Sequence, residues 1–177
     1  MTASQRATPA AYDIRAEQPG DSAAIDALVR AAFGQDEEML LVRSLRDGGF
    51  NLLSLVAVRG KEIAGHLLFT RLLIEGVDQT WNAVALAPIA VSPDRQRSGI
   101  GSQLMRTGLL QLKDRGESIV VVLGHEHYYP RFGFSAQLAE SLISPFPGPH
   151  WMALELLPGA LKDVRGQVKY VPPFGIA

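Results

Sequence analysis

The stretch V-S-P-D-R-Q-R-S-G-I-G-S-Q-L-M, from Val91 to Met105, decides how the chain folds. A run of apolar residues typical of a strand leads into it, a glycine-rich turn follows, and helical spacing of apolar residues begins at Gly99. The first N–H groups of a helix lack backbone partners and lie at the positive end of the helix dipole. The turn therefore predicts an anion site, and phosphate is the anion that such sites commonly bind.

The spacing of the glycines separates this turn from two common phosphate motifs. A P-loop needs a lysine directly after its second glycine, and no lysine follows these glycines. A dinucleotide-binding turn needs a third glycine where this chain has Leu104, and it normally follows the first strand of a doubly wound sheet. The pattern that remains is Q-x-x-G-x-G, at Gln96, Gly99 and Gly101.

The residues before this turn predict a short strand, two amphipathic helices and three antiparallel strands joined by tight turns. The expected bounds are 12–15 for the first strand, 37–45 for the second helix, and 52–58, 62–74 and 81–91 for the antiparallel strands. The first helix is expected to start after a cap at Asp21 or Ser22 and to end at Gly34. In the second helix, Leu40, Leu41 and Leu45 are expected to form the buried side. Pro88 lies inside the last strand, and because proline cannot donate a hydrogen bond, we expect a bulge there.

The residues after the turn predict a helix over 99–114 and a buried strand over 118–123. Strand, helix and strand over this length form a βαβ unit, so strands 81–91 and 118–123 should be parallel neighbours. Two further strands are expected, one near Phe134 and one over 151–156. These elements predict an α/β (α+β) domain with a mixed, mostly antiparallel central sheet flanked by helices.

Composition narrows the function classes. The 177 residues suffice for one domain, expected over 12–177 after a disordered polar tail over 1–11. The chain has no cysteine, which excludes disulfides, thiolate metal sites and cysteine nucleophiles and is consistent with the cytoplasm. A net charge of −1 without a basic stripe argues against nucleic-acid binding. The short apolar runs predict neither a membrane span nor a secretory signal.

The pattern V-x-P-x-x-Q-x-x-G-I-G-x-x-L-M resembles the acetyl-CoA signature of the GNAT (GCN5-related N-acetyltransferase) family. The expected order of elements is also similar to that family's order. The resemblance implies that the two parallel strands splay around acetyl-CoA, with the pantetheine arm on the bulged strand and the pyrophosphate on the turn. The residues implied to hold acetyl-CoA are Ile89, Ala90, Val91, Gln96, Arg97, Ser98, Gly99, Ile100, Gly101 and Ser102.

A second match lies downstream, where Y-P-R-F-G-F, from Tyr129 to Phe134, fits the family pattern Y-x-x-x-G-F. The tyrosine of that pattern usually faces the coenzyme sulfur, which implies that Tyr129 protonates the leaving thiolate as a general acid. Tyr128 is adjacent, but the spacing selects Tyr129. The whole segment from Val122 resembles a bacterial branch of the family described mainly as predicted acetyltransferases.

The general base is left open by the sequence. Some family members use a glutamate on the bulged strand, and the stretch Ala83–Ala87 contains no acid. His125, Glu126 and His127 follow the buried strand, His66 lies in the long hairpin strand, and a water chain is a further alternative. His125 and His127 could share a metal ion, but no third ligand is evident nearby, so no metal is expected.

The resemblance implies transfer of an acetyl group from acetyl-CoA to a primary amine by direct attack in a ternary complex. Because the bulged strand lacks an acid, a non-catalytic acyl-CoA-binding or sensing module is the alternative. The presence of Tyr129 argues against it. Asp36, Glu37 and Glu38 are expected to complement the dipole at a helix N-terminus, although they could also attract a cationic amine. The amine could belong to a peptide or a small molecule, and the family's frequent dimers make a homodimer an option.

Overall fold

The computed structural model describes residues 11–176, so the predicted tail lies outside the described residues except for Ala11. The described part contains three α-helices, eight strands and several short 3₁₀ turns. The helices are α1 (Ser22–Phe33), α2 (Glu37–Asp47) and α3 (Ile100–Asp114). The strands are β1 (Asp13–Ala16), β2 (Asn51–Arg59), β3 (Glu62–Glu75), β4 (Thr80–Val91), β5 (Ile119–Leu123), β6 (Leu142–Ile143), β7 (Trp151–Glu155) and β8 (Gly166–Tyr170).

The strands form one mixed sheet in the order β1-β2-β3-β4-β5-β7, with β8 paired to the far half of β3 and β6 paired to β8. All neighbours are antiparallel except β4 with β5 and β6 with β8. The predicted mixed, mostly antiparallel sheet with flanking helices and one parallel pair around α3 is therefore confirmed.

Three details differ from the sequence prediction. The buried side of α2 consists of Met39, Val42 and Leu45, whose i, i+3 spacing places them on one side of the helix, whereas Leu40 is 50% exposed. No strand forms near Phe134, because Ser135 makes only an isolated bridge to β7. Strands β6 and β8 were not predicted, because each is short and neither alternates clearly between apolar and polar residues.

The predicted bulge in β4 is present. Leu67 of β3 pairs with Ile89 and Phe69 pairs with Leu86, so two residues of β4, Ala87 and Pro88, lie opposite a single residue of β3. The extra residue bends the strand and changes the direction in which its backbone groups point. The bulge lies directly before the residues implied to hold the pantetheine arm.

Close packing positions the start of α3 beside the end of β4. A Cβ atom on Gly108 would lie 2.7 Å from the Phe69 ring, and a Cβ on Gly65 would lie 2.8 Å from the side chains of Ile100 and Leu104. The missing side chains therefore allow α3 to approach β3 closely, which holds its first turn against the sheet.

The parallel pair separates soon after it forms. β4 and β5 pair only at Val84 with Val120 and at Ala85 with Val121, after which β5 continues alongside β7. From Leu86 to Val91, the edge of β4 that faces β5 has no strand partner in the described chain. Helices α1 and α2 cover one face of the sheet, and α3 covers the other face together with the turn Tyr129–Phe132. Within residues 11–176, no helix is both long and apolar enough to cross a membrane.

Candidate active site

A cavity of about 1010 Å³ lies at the gap between β4 and β5. Its walls include the bulged part of β4, the end of β5 and the first turn of α3. They also include residues of α1 and α2, which pack on the opposite face of the sheet from α3. The cavity therefore runs through the sheet and connects its two faces.

The α3 end of the cavity has the features of an anion site. Gly99 precedes the helix with a φ of 90°, a left-handed conformation that favours glycine, and no side chain caps the helix start. A Cβ on Gly99 would meet no atom within 4 Å, so the approach to the first turn is open. Arg95 and Arg97 line the cavity beside these N–H groups. The first turn of α3 thus fits the diphosphate that the sequence implied.

Local contacts hold the loop between β4 and α3 in place. The Gln96 side-chain amide donates to the carbonyl of Val91 at 3.2 Å, which ties the turn back to the end of the strand. Arg97 has a φ of 60°, and a non-glycine residue in this region carries strain of about 1 kcal/mol or more. We infer that Gln96 shapes the turn in addition to lining the cavity.

Most of the residues predicted to hold the coenzyme come together in the cavity. Those that line it are Ile89, Val91, Gln96, Arg97, Gly99, Ile100, Gly101 and Ser102. Ala90 and Ser98 do not line it. The Ala90 side chain is buried toward α1 and α2, and the Ser98 hydroxyl donates to the carbonyl of Arg95.

Tyr129 lies in the cavity wall beside the end of β5. The residue is 7% exposed, and its hydroxyl makes no hydrogen bond to another described residue. Its ring packs so closely on Gly124 that a Cβ there would lie 2.2 Å from the ring, so the position requires glycine. Burial raises the pKa of the Tyr129 phenol, which keeps it protonated at neutral pH. Tyr129 therefore offers a neutral hydroxyl, without a hydrogen-bond partner among the described residues, that can donate to a group bound in the cavity.

Tyr128 also lines the cavity, although the sequence spacing had set it aside. Its hydroxyl lies 2.9 Å from the position that a Cβ on Gly101 would occupy, directly at the start of α3. The Arg131 guanidinium lies 4.4 Å from the centroid of the Tyr128 ring, and burial raises the pKa of the phenol. Tyr128 therefore places a neutral hydroxyl and a stacked cation beside the anion site. The feature of the sequence that could have indicated this contact is Gly101, whose missing side chain leaves room for the Tyr128 hydroxyl.

The candidates for the general base separate in space. His125 lines the cavity, whereas Glu126 and His127 do not. The His127 side chain is 93% exposed, and its Nε2 lies 3.5 Å from Glu126. Within residues 11–176, no group of three or more metal-ligating side chains comes together.

His66 is fully buried and does not line the cavity. The Ser54 hydroxyl donates to the Glu17 carboxylate, so the His66 Nε2–H must be the donor to Ser54 Oγ at 2.9 Å. Burial lowers the pKa of His66 below its ordinary value. Burial alone would raise the pKa of Glu17, but the nearby His66 Nε2–H, 3.7 Å from the carboxylate, and hydrogen bonds from Ser54 and Arg46 outweigh it and lower that pKa to about 2. We call this group the buried polar cluster.

The other end of the cavity, on the α1 and α2 face, was not predicted from the sequence. We call it the apolar chamber, and its walls are Phe33, Glu38, Leu41, Phe146, Tyr170 and Phe174. The Tyr170 ring lies 4.8 Å from the Phe174 ring and 6.4 Å from the Phe146 ring, so three aromatic side chains form a continuous wall. Burial raises the pKa of Tyr170, which leaves this wall uncharged.

The acidic run at 36–38 begins α2, as expected. Glu37 and Glu38 occupy the first turn, where negative charge complements the helix dipole. Glu38 also lines the cavity, whereas Asp36 pairs with Arg30 and Glu37 does not reach the cavity. Of the three acids, only Glu38 lies both in the first turn of α2, where it complements the helix dipole, and in the cavity lining, where it could attract a cationic amine.

A family model described as an acetyltransferase (GNAT) domain matches residues 13–136. The chain is 37% identical over 160 residues to the uncharacterized N-acetyltransferase YhbS of Escherichia coli, covering 89% of this chain and 95% of that protein. It is 34% identical over 161 residues to the uncharacterized N-acetyltransferase YjhQ of Escherichia coli, covering 86% and 88% of the two chains.

Two solved structures match over nearly the whole chain. One is the GNAT family N-acetyltransferase YhbS from Escherichia coli in complex with CoA, with a TM-score of 0.87 and 34% identity over 97% of this chain and 96% of that one. The other is a GNAT family acetyltransferase from Brucella melitensis in complex with acetyl-CoA, with a TM-score of 0.76 and 33% identity over 92% and 97% of the two chains.

Proposed function

Because this chain belongs to the GNAT family of acetyltransferases, we propose that it transfers an acetyl group from acetyl-CoA directly to a primary amine in a ternary complex. The family places it among the acetyl-CoA-dependent N-acetyltransferases. The observation that carries the proposal is the continuous cavity, which joins the anion site at α3 to the apolar chamber past Tyr129. Such a cavity can hold a coenzyme and an acceptor at the same time.

The coenzyme would be held mainly by backbone groups. The first N–H groups of α3, at Gly101 and Ser102, would bind the diphosphate, with Arg95 and Arg97 adding positive charge. The unpaired edge of β4 from Ile89 to Val91 would hydrogen-bond the amides of the pantetheine arm. When bound, acetyl-CoA supplies an activated thioester, at whose carbonyl carbon the amine forms a C–N bond as the C–S bond breaks.

Tyr129 would supply the proton that the departing sulfur requires. Its phenol is protonated at neutral pH, and its hydroxyl makes no hydrogen bond to any residue of the described chain. A backbone N–H of the bulged stretch beside Ile89 would polarise the carbonyl oxygen. The amine must lose a proton as it attacks, and His125 or a water molecule in the cavity would accept it. The Tyr129 phenolate then regains a proton from solvent.

Direct attack is favoured over a covalent acyl-enzyme by what lines the cavity. The chain has no cysteine, and the serine among the described lining residues is Ser102, at the helix start where the diphosphate would bind. No hydrogen-bonded pair of a nucleophile and a histidine lines the described cavity. A nucleophile that forms a covalent intermediate normally needs such an activating base.

The test is thiol release from acetyl-CoA across a panel of amines, with calorimetric titration of CoA on the same protein. We expect coenzyme binding together with amine-dependent thiol release for at least one class of amine. Coenzyme binding without release for any amine would contradict acetyl transfer and favour a binding or sensing module. If no coenzyme binds, the assignment of the anion site is wrong.

A further inference from the structure

The apolar chamber has a wall that suits an apolar ligand. Phe146, Tyr170 and Phe174 form its aromatic side, and Phe33 and Leu41 face the same space from α1 and α2. Val171 and Phe174 pack against the cluster of buried residues under α1 and α2, so the wall is supported from behind. Side chains that already lie against each other lose little freedom when a flat apolar group binds.

A single carboxylate, that of Glu38, interrupts this wall. Among the described residues that line the cavity, it is the one acidic side chain, and Arg95, Arg97 and Arg131 line the coenzyme end. No lysine or arginine of the described chain pairs with Glu38. Its neighbour is the Gln35 amide, whose Nε2 lies 3.0 and 3.1 Å from the two carboxylate oxygens.

The other carboxylates on the nearby helices either pair with an arginine or do not line the cavity. Asp26 on α1 pairs with Arg43 at 2.7 Å, and Asp36 pairs with Arg30. Glu37 lies in the same turn as Glu38 and faces the same helix dipole without reaching the cavity. Among the described residues of α1 and α2, Glu38 is therefore the one acid that belongs to the cavity lining, and no described lysine or arginine pairs with it.

From this geometry we infer that the acceptor is a small primary amine on an aromatic or similarly apolar body, recognised by Glu38 and the aromatic wall. The inference rests on the proposed acetyl transfer. The carboxylate attracts the ammonium form into the cavity, the aromatic wall holds the body, and the amine loses a proton before it attacks. Arylalkylamines have this chemistry.

Other acceptor classes fit the chamber less well. Polyamines and aminoglycosides carry several ammonium groups, which would need several carboxylates, and the described chamber provides one. An amino acid carries a carboxylate beside its amine, and Glu38 would repel it. A short hydroxylated amine would leave the aromatic wall exposed to water and so gain little from it.

The experiment measures kcat and KM for 2-phenylethylamine, ethanolamine, spermidine and phenylalanine, using thiol release from acetyl-CoA. We expect kcat/KM for 2-phenylethylamine to exceed each of the others by about tenfold or more. The variant Glu38→Gln should raise KM for 2-phenylethylamine by about tenfold, because a charge-assisted contact is lost while shape is kept. Glu37→Gln is the matched control, and it should leave that KM unchanged.

A second variant, Phe174→Ala, should raise KM for 2-phenylethylamine while the dissociation constant of CoA, measured by calorimetry, stays at the wild-type value. Equal behaviour of Glu38→Gln and Glu37→Gln would overturn the inference, as would a preference for spermidine, ethanolamine or phenylalanine. In those cases acetyl transfer itself stands. If CoA binds and no amine is acetylated, the proposed function fails, and the inference fails with it.

Discussion

The two ends of the cavity are built in different ways. Most of the coenzyme end is continuous in sequence, running from Ile89 to Ser102 over one strand, one turn and the start of one helix, and Tyr128 and Arg131 join it from the segment after β5. The apolar chamber takes its side chains from both ends of the chain, between Phe33 and Phe174. A diphosphate is bound by backbone N–H groups, for which local geometry suffices, whereas an acceptor is recognised by side chains that only the complete fold brings together.

The largest effect is expected at Tyr129, which lies where the two ends meet. Replacing it with phenylalanine removes the proton donor while keeping the ring on Gly124, so kcat should fall by about a thousandfold. Affinity for CoA and KM for the amine should stay close to wild type, because neither end of the cavity changes. Steady-state thiol release and calorimetry measure these quantities.

Tyr128→Phe is the control for that variant, because it removes the neighbouring hydroxyl from the anion site. It should weaken CoA binding and leave kcat largely intact. If the two variants exchanged these effects, Tyr128 and not Tyr129 would be the acid.

Varying the buried polar cluster tests whether the side chains beneath α1 and α2 affect acceptor binding in the apolar chamber or only stabilise the fold. The pKa of Glu17 is lowered from its ordinary 4.5 to about 2, so its contribution to stability is present above pH 4.5 and is lost as pH falls towards 2. A shift of this size corresponds to about 3 kcal/mol. The lowered pKa of His66 adds a loss of stability that begins as pH falls below its ordinary value of 6.5.

Denaturant unfolding between pH 7 and 2 measures this loss in wild type and in Glu17→Gln. The variant should lack the part that develops below pH 4.5, and its KM for the amine at pH 7 should match wild type. A changed KM would show that the cluster affects acceptor binding in the apolar chamber, which would contradict a purely stabilising role.

A smaller effect is expected from Gly101→Ala at the coenzyme end. The new Cβ would lie 2.9 Å from the Tyr128 hydroxyl and push it away from the first turn of α3, so CoA should bind about tenfold more weakly. KM for the amine should not change. Calorimetry on the single variant and on Gly101→Ala combined with Tyr128→Phe gives the coupling, because removing the hydroxyl should relieve most of the added effect. Independent, additive losses would mean that the two residues do not interact.

The features that could be predicted from the sequence lie mainly at the coenzyme end of the cavity. The bulge at Pro88 and the open turn at Gly99 depend on the residues themselves, so both could be predicted before the structure. The buried side of α2 was wrong at Leu40, because apolar character alone does not say which side of a helix meets the sheet.

The apolar chamber could not be predicted for a related reason. Tyr170 belongs to the unpredicted strand β8, and its partners Phe146 and Phe174 lie in loops and turns without a periodic pattern. Nothing local to these residues indicates that they meet. Glu38 was noticed as part of an acidic run, but only the fold shows which of the three acids faces the cavity.

The central claim is that coenzyme and acceptor occupy the two ends of one cavity at the same time. Initial rates of thiol release, with acetyl-CoA and the best amine of the panel varied against each other, test it most directly. The account predicts double-reciprocal lines that intersect, because both substrates must be bound before the acetyl group moves. Parallel lines, the pattern of a ping-pong mechanism with a covalent acyl-enzyme, would contradict it.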